Sequence, residues 1–251
     1  MGKAVATTAD SLPTERPSWM KDNSTRGNEG VTADDMAIPR LAIIQDLSPQ
    51  HKKSKEEYID GAEVKMVFNT ATGELYPEGC VVVPVMFRKE WVIWKDIDSG
   101  GGFRGAFGTV GEAKAALAEV EDANDCEVVD THQHFVLVLN EALELVAQAV
   151  ISMSKSQMKV SRKWNTTIQT LGGDRFERAY KLSVVDDQNS AGQDFYNWKL
   201  TQLGFVTEEV FSAAEAMYEA VASGAMDVKR DQDHTPESGH AEGDSEADEE
   251  F

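Results

Sequence analysis

Residues 81–95 constrain this chain more than any other stretch. They are long, β-branched and aromatic, the composition that suits a pleated, half-buried surface, so they are read as one long strand. Pro84 interrupts the run with a missing amide donor, which marks an edge or a bulge. Ser99-Gly100-Gly101-Gly102 then breaks it. Two short strands are expected at 63–69 and 74–76 across a turn at Thr72-Gly73. Two longer pairs are expected, 134–139 with 145–153, and 176–184 with 194–201 across a polar loop at 187–192. An Ala-rich segment at 112–120 reads as a helix. Thr207, followed by Glu208 and Glu209, starts another that runs to about Gly224. No internal repeat is visible.

A third helix falls between the second and third of these pairs. Ser154 with Gln157 three residues on resembles a capping box, and Gly172-Gly173 closes the segment. At 100° per residue, Val160, Trp164, Ile168 and Leu171 share a face, with Lys155, Lys159, Arg162 and Lys163 on the side roughly opposite. No Asp or Glu occurs between Glu144 and Asp174. The order long strand, strand, strand, helix, strand, strand is that of a five-stranded OB-type Greek-key barrel, with residues 96–131 as an insertion after the first strand. A two-layer α+β sheet is the alternative. The fold class is therefore mainly β with helices, over residues 38–227.

The flanks differ in kind. Residues 1–37 and 228–251 are polar and low in apolar content, which cannot offset the entropy of ordering, so both are expected to be disordered. The second holds nine acidic residues and ends in Phe251. The net charge of −20 predicts repulsion from nucleic acid unless charge is segregated, and residues 1–230 still carry −11. Two cysteines, Cys80 and Cys126, are too few for a disulfide framework and point to a reducing compartment. No apolar run follows Lys3, so no signal peptide or membrane span is expected.

Catalysis is poorly represented. Gly100-Gly101-Gly102-Phe103-Arg104-Gly105 matches the dinucleotide glycine pattern without its parallel βαβ setting, so a loop is expected. His132 and His134 alternate on a strand and could ligate a metal, but nothing completes a ligand set, and they read as surface histidines. Asp186-Asp187 and Glu208-Glu209 read as loop and helix-start residues. No catalytic residue, cofactor or metal is expected.

Single-strand binding needs rings beside cations: aromatic faces stack on bases while Lys and Arg follow phosphates. The candidates are Arg88, Trp91, Trp94 and Lys95; Phe103 and Arg104 in the glycine loop; Lys155, Lys159, Arg162 and Lys163 on the helix; and Lys181, Tyr196, Trp198 and Lys199 on the last two strands. Trp164 is expected in the core, and Tyr196 and Trp198 can serve either as core or as base platforms. Asp248, Glu249, Glu250 and Phe251 are the candidate partner-binding residues, a ring and terminal carboxylate suited to a basic-rimmed apolar pocket.

The ending Glu246-Ala247-Asp248-Glu249-Glu250-Phe251 resembles the acidic, Phe-terminated tails of bacteriophage and bacterial single-stranded DNA-binding proteins. The body is similar to tailed-phage proteins of this kind at Ile38-Pro39-Arg40-Leu41 through Ser48-Pro49, at Phe68-Asn69-Thr70 with Thr72-Gly73-Glu74, and at Ser161-Arg162-Lys163-Trp164-Asn165. The resemblance implies an OB barrel that coats template strands and melts hairpins. It also implies a tail that contacts replicative polymerase and helicase-primase. The bacterial tails carry a proline before the last residue and this one does not, so a phage partner is expected. The expected setting is the cytoplasm of an infected bacterium, with single-stranded DNA as ligand, a homodimer possible, and no membrane. A strand-annealing recombination factor, an acidic DNA mimic and an enzyme using the glycine loop are the rival readings.

Overall fold

The computed structural model describes residues 27–30, 38–96, 99–188, 192 and 194–226. Contacts divide the chain into residues 1–36 and 37–251, and every element named here lies in the second unit. In chain order these are β1 (Leu41–Ile43), β2 (Val67–Asn69), β3 (Leu75–Tyr76), β4 (Cys80–Lys95), β5 (Phe103–Phe107), α1 (Val110–Ala118), β6 (Cys126–Leu139), β7 (Leu145–Ser154), α2 (Met158–Leu171), β8 (Arg178–Gln188), β9 (Asp194–Phe205) and α3 (Glu208–Ala222). The fold is mainly β, with antiparallel sheets and three helices. Apart from 27–30, the segments 1–37 and 228–251 expected to be disordered lie outside the described residues, together with Asp248, Glu249, Glu250 and Phe251.

β4 organises the larger sheet, whose order is β7-β6-β4-β8-β9, with β5 also on β4. β6 pairs along nearly all of β4, β8 only at Cys80–Val82, and β5 only at Trp91–Trp94. Pro84 sits beside a register shift in the pairing with β6, and β8 no longer flanks β4 there, the bulge setting in which a strand tolerates a residue without an amide. At the entry to β4, Gly79 has φ 72°, and a Cβ there would collide with the carbonyl oxygen of Leu182, so β8 can approach only glycine.

Both faces of this sheet are buried. Val83, Val85, Phe135, Leu137 and Val150 meet Val210, Ala214, Met217 and Val221, the helical stripe of α3. Val82, Val136, Val138, Ile151, Leu182 and Trp198 face the other way and meet Trp164 of α2 with Leu41, Ile43 and Val67 of the three-stranded sheet β1-β2-β3. The five-stranded barrel expected from the sequence is not closed, because β7 and β9 do not pair among the described residues. The chain before and through β1 bridges them instead. The Val150 amide on β7 donates to the Pro39 carbonyl at 2.9 Å. The Gln45 side chain donates to the Tyr196 carbonyl on β9 at 2.8 Å and accepts from its amide at 3.0 Å.

Three local expectations change. β6 begins at Cys126, not at 134, and β5 occupies part of the stretch read as an insertion. Ser154 makes no side-chain cap, and a short 3-10 turn at Lys155–Gln157 precedes α2. The capping box that does form is on α1: Thr109 Oγ1 accepts from the Glu112 amide at 3.2 Å, and the Glu112 carboxylate accepts from the Thr109 amide at 3.1 Å. Thr207 caps α3 as expected.

Candidate nucleic-acid interface

Directly paired residues of antiparallel strands project from the same face. Trp91 faces Phe107 on β5 and Asp130 on β6, Lys89 faces His132, and Phe87 faces His134. All lie on the side covered by α2, because Ser161 of that helix bonds both histidines. Beside this row, a cleft of about 460 Å³ opens between β6 and the start of α2, lined by Glu127, Val128, Val129, Asp130, Lys155, Ser156, Met158, Lys159 and Arg162. Trp91 is half-buried, with the Lys89 ammonium 4.7 Å from its ring centroid. Lys89 also pairs with Asp130 at 2.9 Å.

Charge on this side is more balanced than the helix sequence suggests. Lys155 pairs with Glu127 at 2.8 Å and Lys159 with Asp187 at 2.6 Å. The Lys159 hydrogen bond, with one from Asn197, holds the Asp187 carboxyl below its ordinary range. Arg162 and Lys163 are exposed and have no ion pair among the described residues. Trp164 is in the core as expected, but Leu171 on the same stripe is 42% exposed.

The remaining candidates do not join this surface. Arg88 and Trp94 project from the opposite face; the Arg88 guanidinium lies 5.2 Å from the Phe135 ring centroid, and Trp94 packs edge-on against Phe103. Lys95 and Arg104 both bind Asp122, at 2.6 and 3.2 Å, and their hydrogen bonds bring its carboxyl down to about 2. Trp198 is only 2% exposed, so it is core and not a base platform. Tyr196 is tied at both ends: its hydroxyl donates to Asp46 at 3.2 Å and its backbone binds Gln45. Lys181 donates to the Gly79 carbonyl at 3.2 Å, and Lys199 is exposed.

Beneath α2 lies a buried polar chain that sequence reasoning missed. His132 and His134, expected on the surface, are 7% and 0% exposed. An arginine only donates, so the 2.9 Å contact from Arg175 Nη2 makes His134 Nδ1 an acceptor and places its proton on Nε2. That proton goes to Ser161 Oγ at 2.7 Å, and Ser161 donates in turn to His132 Nδ1 at 2.6 Å. His132 Nε2 then points at Asp130, 4.0 Å away. Burial holds both imidazoles below their ordinary range, His134 far below it. Arg175 is lowered to about 10 by burial, binds Asn165 at 2.9 Å, and lies near the Phe87 and Trp164 rings. The alternation His132, His134 in an otherwise apolar strand was the available signal; its partners lie 27 to 41 residues away. Phe107 was also missed, although Phe103, Gly105 and Phe107 alternate in the sequence.

An antiparallel sheet buried on both faces, with a helix carrying two free cations over one side, defines a mainly β protein with a small charged cleft. A family model described as Pam3 phage gp34-like protein matches residues 6–227, and the chain belongs to that family of phage proteins. No curated protein and no solved structure matches it. No helix among the described residues is long and apolar enough to cross a membrane.

Proposed function

We propose that this phage protein binds single-stranded DNA without catalysis and with little sequence preference, as a replication or recombination factor in the cytoplasm of an infected bacterium. The observation that carries the reading is the cleft on the α2 side of the sheet, where Arg162 is exposed without an ion pair among the described residues, Lys163 is the next residue along the helix, and Trp91 projects on the same side, opposite the cleft-lining Asp130. A ring on the same side of the sheet as unpaired cations suits a base and its phosphates. The strand order β7-β6-β4-β8-β9, with α2 between the third and fourth of the long sheet-forming strands, supports an OB-derived fold whose closure has been taken over by the Pro39–Gln45 bridge. Asp248, Glu249, Glu250 and Phe251 supply the contact to replicative polymerase and helicase-primase.

Anisotropy titrations of labelled oligo-dT and duplex at two salt concentrations test this. Oligo-dT binds more tightly, and Arg162→Ala with Lys163→Ala weakens it and flattens the log–log salt slope by about 1.4, two contacts at about 0.7 each. Absence of binding to any oligonucleotide at low salt overturns the proposal. It would favour the acidic DNA mimic, which the Lys155–Glu127 and Lys159–Asp187 pairs would then serve as surface neutralisation.

A further inference from the structure

Arg175 is a largely buried cation with no carboxylate bonded to it among the described residues. Its Nη2 donates to His134 Nδ1 and to Asn165 Oδ1, both at 2.9 Å, and its guanidinium lies 5.7 Å from the Phe87 ring centroid and 5.8 Å from that of Trp164. All four partners are neutral, since burial holds His134 far below its ordinary range. The ionisable neighbour that favours the charge is the Tyr180 phenol, not an Asp or Glu. Asp174, beside it in the chain, is exposed, and Glu177 turns its carboxylate to the Asp174 amide and to Arg178. Lowered to about 10, Arg175 still carries its charge at neutral pH. Charged side chains are rarely buried unless paired.

Part of this guanidinium is unused. Nε is buried without a partner. Nη1 has no partner either, but it is open to water. Because an arginine only donates, its bond turns the Asn165 carbonyl oxygen inward and leaves Nδ2 on the other side of the amide. Nδ2 is likewise unpaired and open to water. One hydrogen bond thus fixes two groups that each present idle donors. Arg162, exposed and without an ion pair among the described residues, precedes Asn165 by three positions and so neighbours it across one turn of α2, while also lining the cleft. No Asp or Glu occurs from Lys155 to Gly173. A phosphate accepts from several donors at once and brings the missing negative charge. We propose that Arg175 Nη1 and Asn165 Nδ2, with Arg162 at the rim, form a phosphate-binding subsite for a phosphodiester of a strand lying in the cleft that Arg162 lines, an inference that rests on the single-strand reading. Phosphate contacts set position and not sequence, so this subsite fixes the course of the strand from the cleft toward Asn165.

Asn165→Asp separates ligand binding from packing. It keeps the oxygen that Arg175 needs, removes the Nδ2 donors and supplies a counter-charge. It is expected to hold or raise the urea midpoint while weakening oligo-dT binding about tenfold and lowering the log–log salt slope by about 0.7, one contact. The same amide-to-acid change at exposed Gln202 on β9 is expected to leave the affinity within about twofold. Wild-type affinity in Asn165→Asp overturns the proposal, as does equal weakening by Gln202→Glu. Inorganic phosphate probes the subsite without a strand. Against chloride at matched ionic strength it is expected to raise the wild-type urea midpoint more than that of Asn165→Asp, the shared part being general exclusion of the salt from the protein surface. A wild type that binds no oligonucleotide but keeps this difference loses the single-strand reading and supports a site for a free phosphate group. In a chain that binds no oligonucleotide, equal midpoint shifts overturn the subsite as well.

Discussion

Ser161 Oγ is shared by two imidazoles that burial keeps neutral, and this pairing ties α2 to β6. Removing the hydroxyl leaves an acceptor on His132 and a donor on His134 without partners in a site closed to water. Ser161→Ala is therefore expected to cost about 2–4 kcal/mol, read as a lower urea midpoint. The same chain sets a pH dependence. In the unfolded chain His134 takes up a proton near pH 6.5, while in the fold it resists until well below that. Between those values the unfolded state binds more protons, so stability falls as pH drops, by up to about 1.4 kcal/mol per pH unit from His134. His132 adds a smaller loss of the same sign. A urea midpoint that stays flat from pH 7 to 5 contradicts this. Helical periodicity put Trp164 in the core correctly, since its apolar neighbours recur at helical spacing. It put the histidines on the surface, because their partners Ser161 and Arg175 are remote in sequence and only folding brings them near.

Elements with a strong local signature were readable and those defined by a distant partner were not. The β-branched run of β4, the Thr207 cap and the Gly172 stop each carry their own signal, and all appear near the expected positions. β1 is three residues long, and its place depends on pairing with β2 and on the bridge beside β7 and β9. β5 was masked by glycines that, in a strand, permit the irregular register between Ile93 and Trp94. Gln45 is the clearest such case, a polar residue after β1 whose amide side chain takes the place of a strand backbone opposite Tyr196. Gln45→Leu keeps the volume and removes both bonds. It is expected to cost about 1–3 kcal/mol and to speed amide exchange at Tyr196, while exchange in β4 and β6 stays slow. Equal acceleration throughout the sheet would show that the bridge is part of the global fold and not a local clasp.

At the scale of the whole molecule the question is where the charge resides. The segment bearing Lys155, Lys159, Arg162 and Lys163 reads in the sequence as one cationic helix face, yet Lys155 lies in the turn before α2, and two of the four charges are met by Glu127 on β6 and Asp187 on β8. Sequence order does not reveal that arrangement, since it follows from β6 and β8 bringing Glu127 and Asp187 to Lys155 and Lys159. Among the described residues this leaves Arg162 and Lys163 as the unpaired cations of that segment, and the proposed binding of phosphate there would be sensitive to the charge that the rest of the chain contributes. Residues 231–251 hold nine acidic residues and no Lys or Arg, nearly half of the net −20. Removing them leaves the free Arg162 and Lys163 with less negative potential to overcome. Deletion of 231–251 is therefore expected to tighten oligo-dT binding several-fold at low salt. The gain should shrink toward none as ionic strength rises and the screening length falls from about 30 Å at 0.01 M to about 3 Å at 1 M. Anisotropy titrations of both chains across that range measure it. A truncated chain that binds more weakly at every salt concentration would mean that the tail contributes contacts of its own, and that its charge is not acting as a competitor.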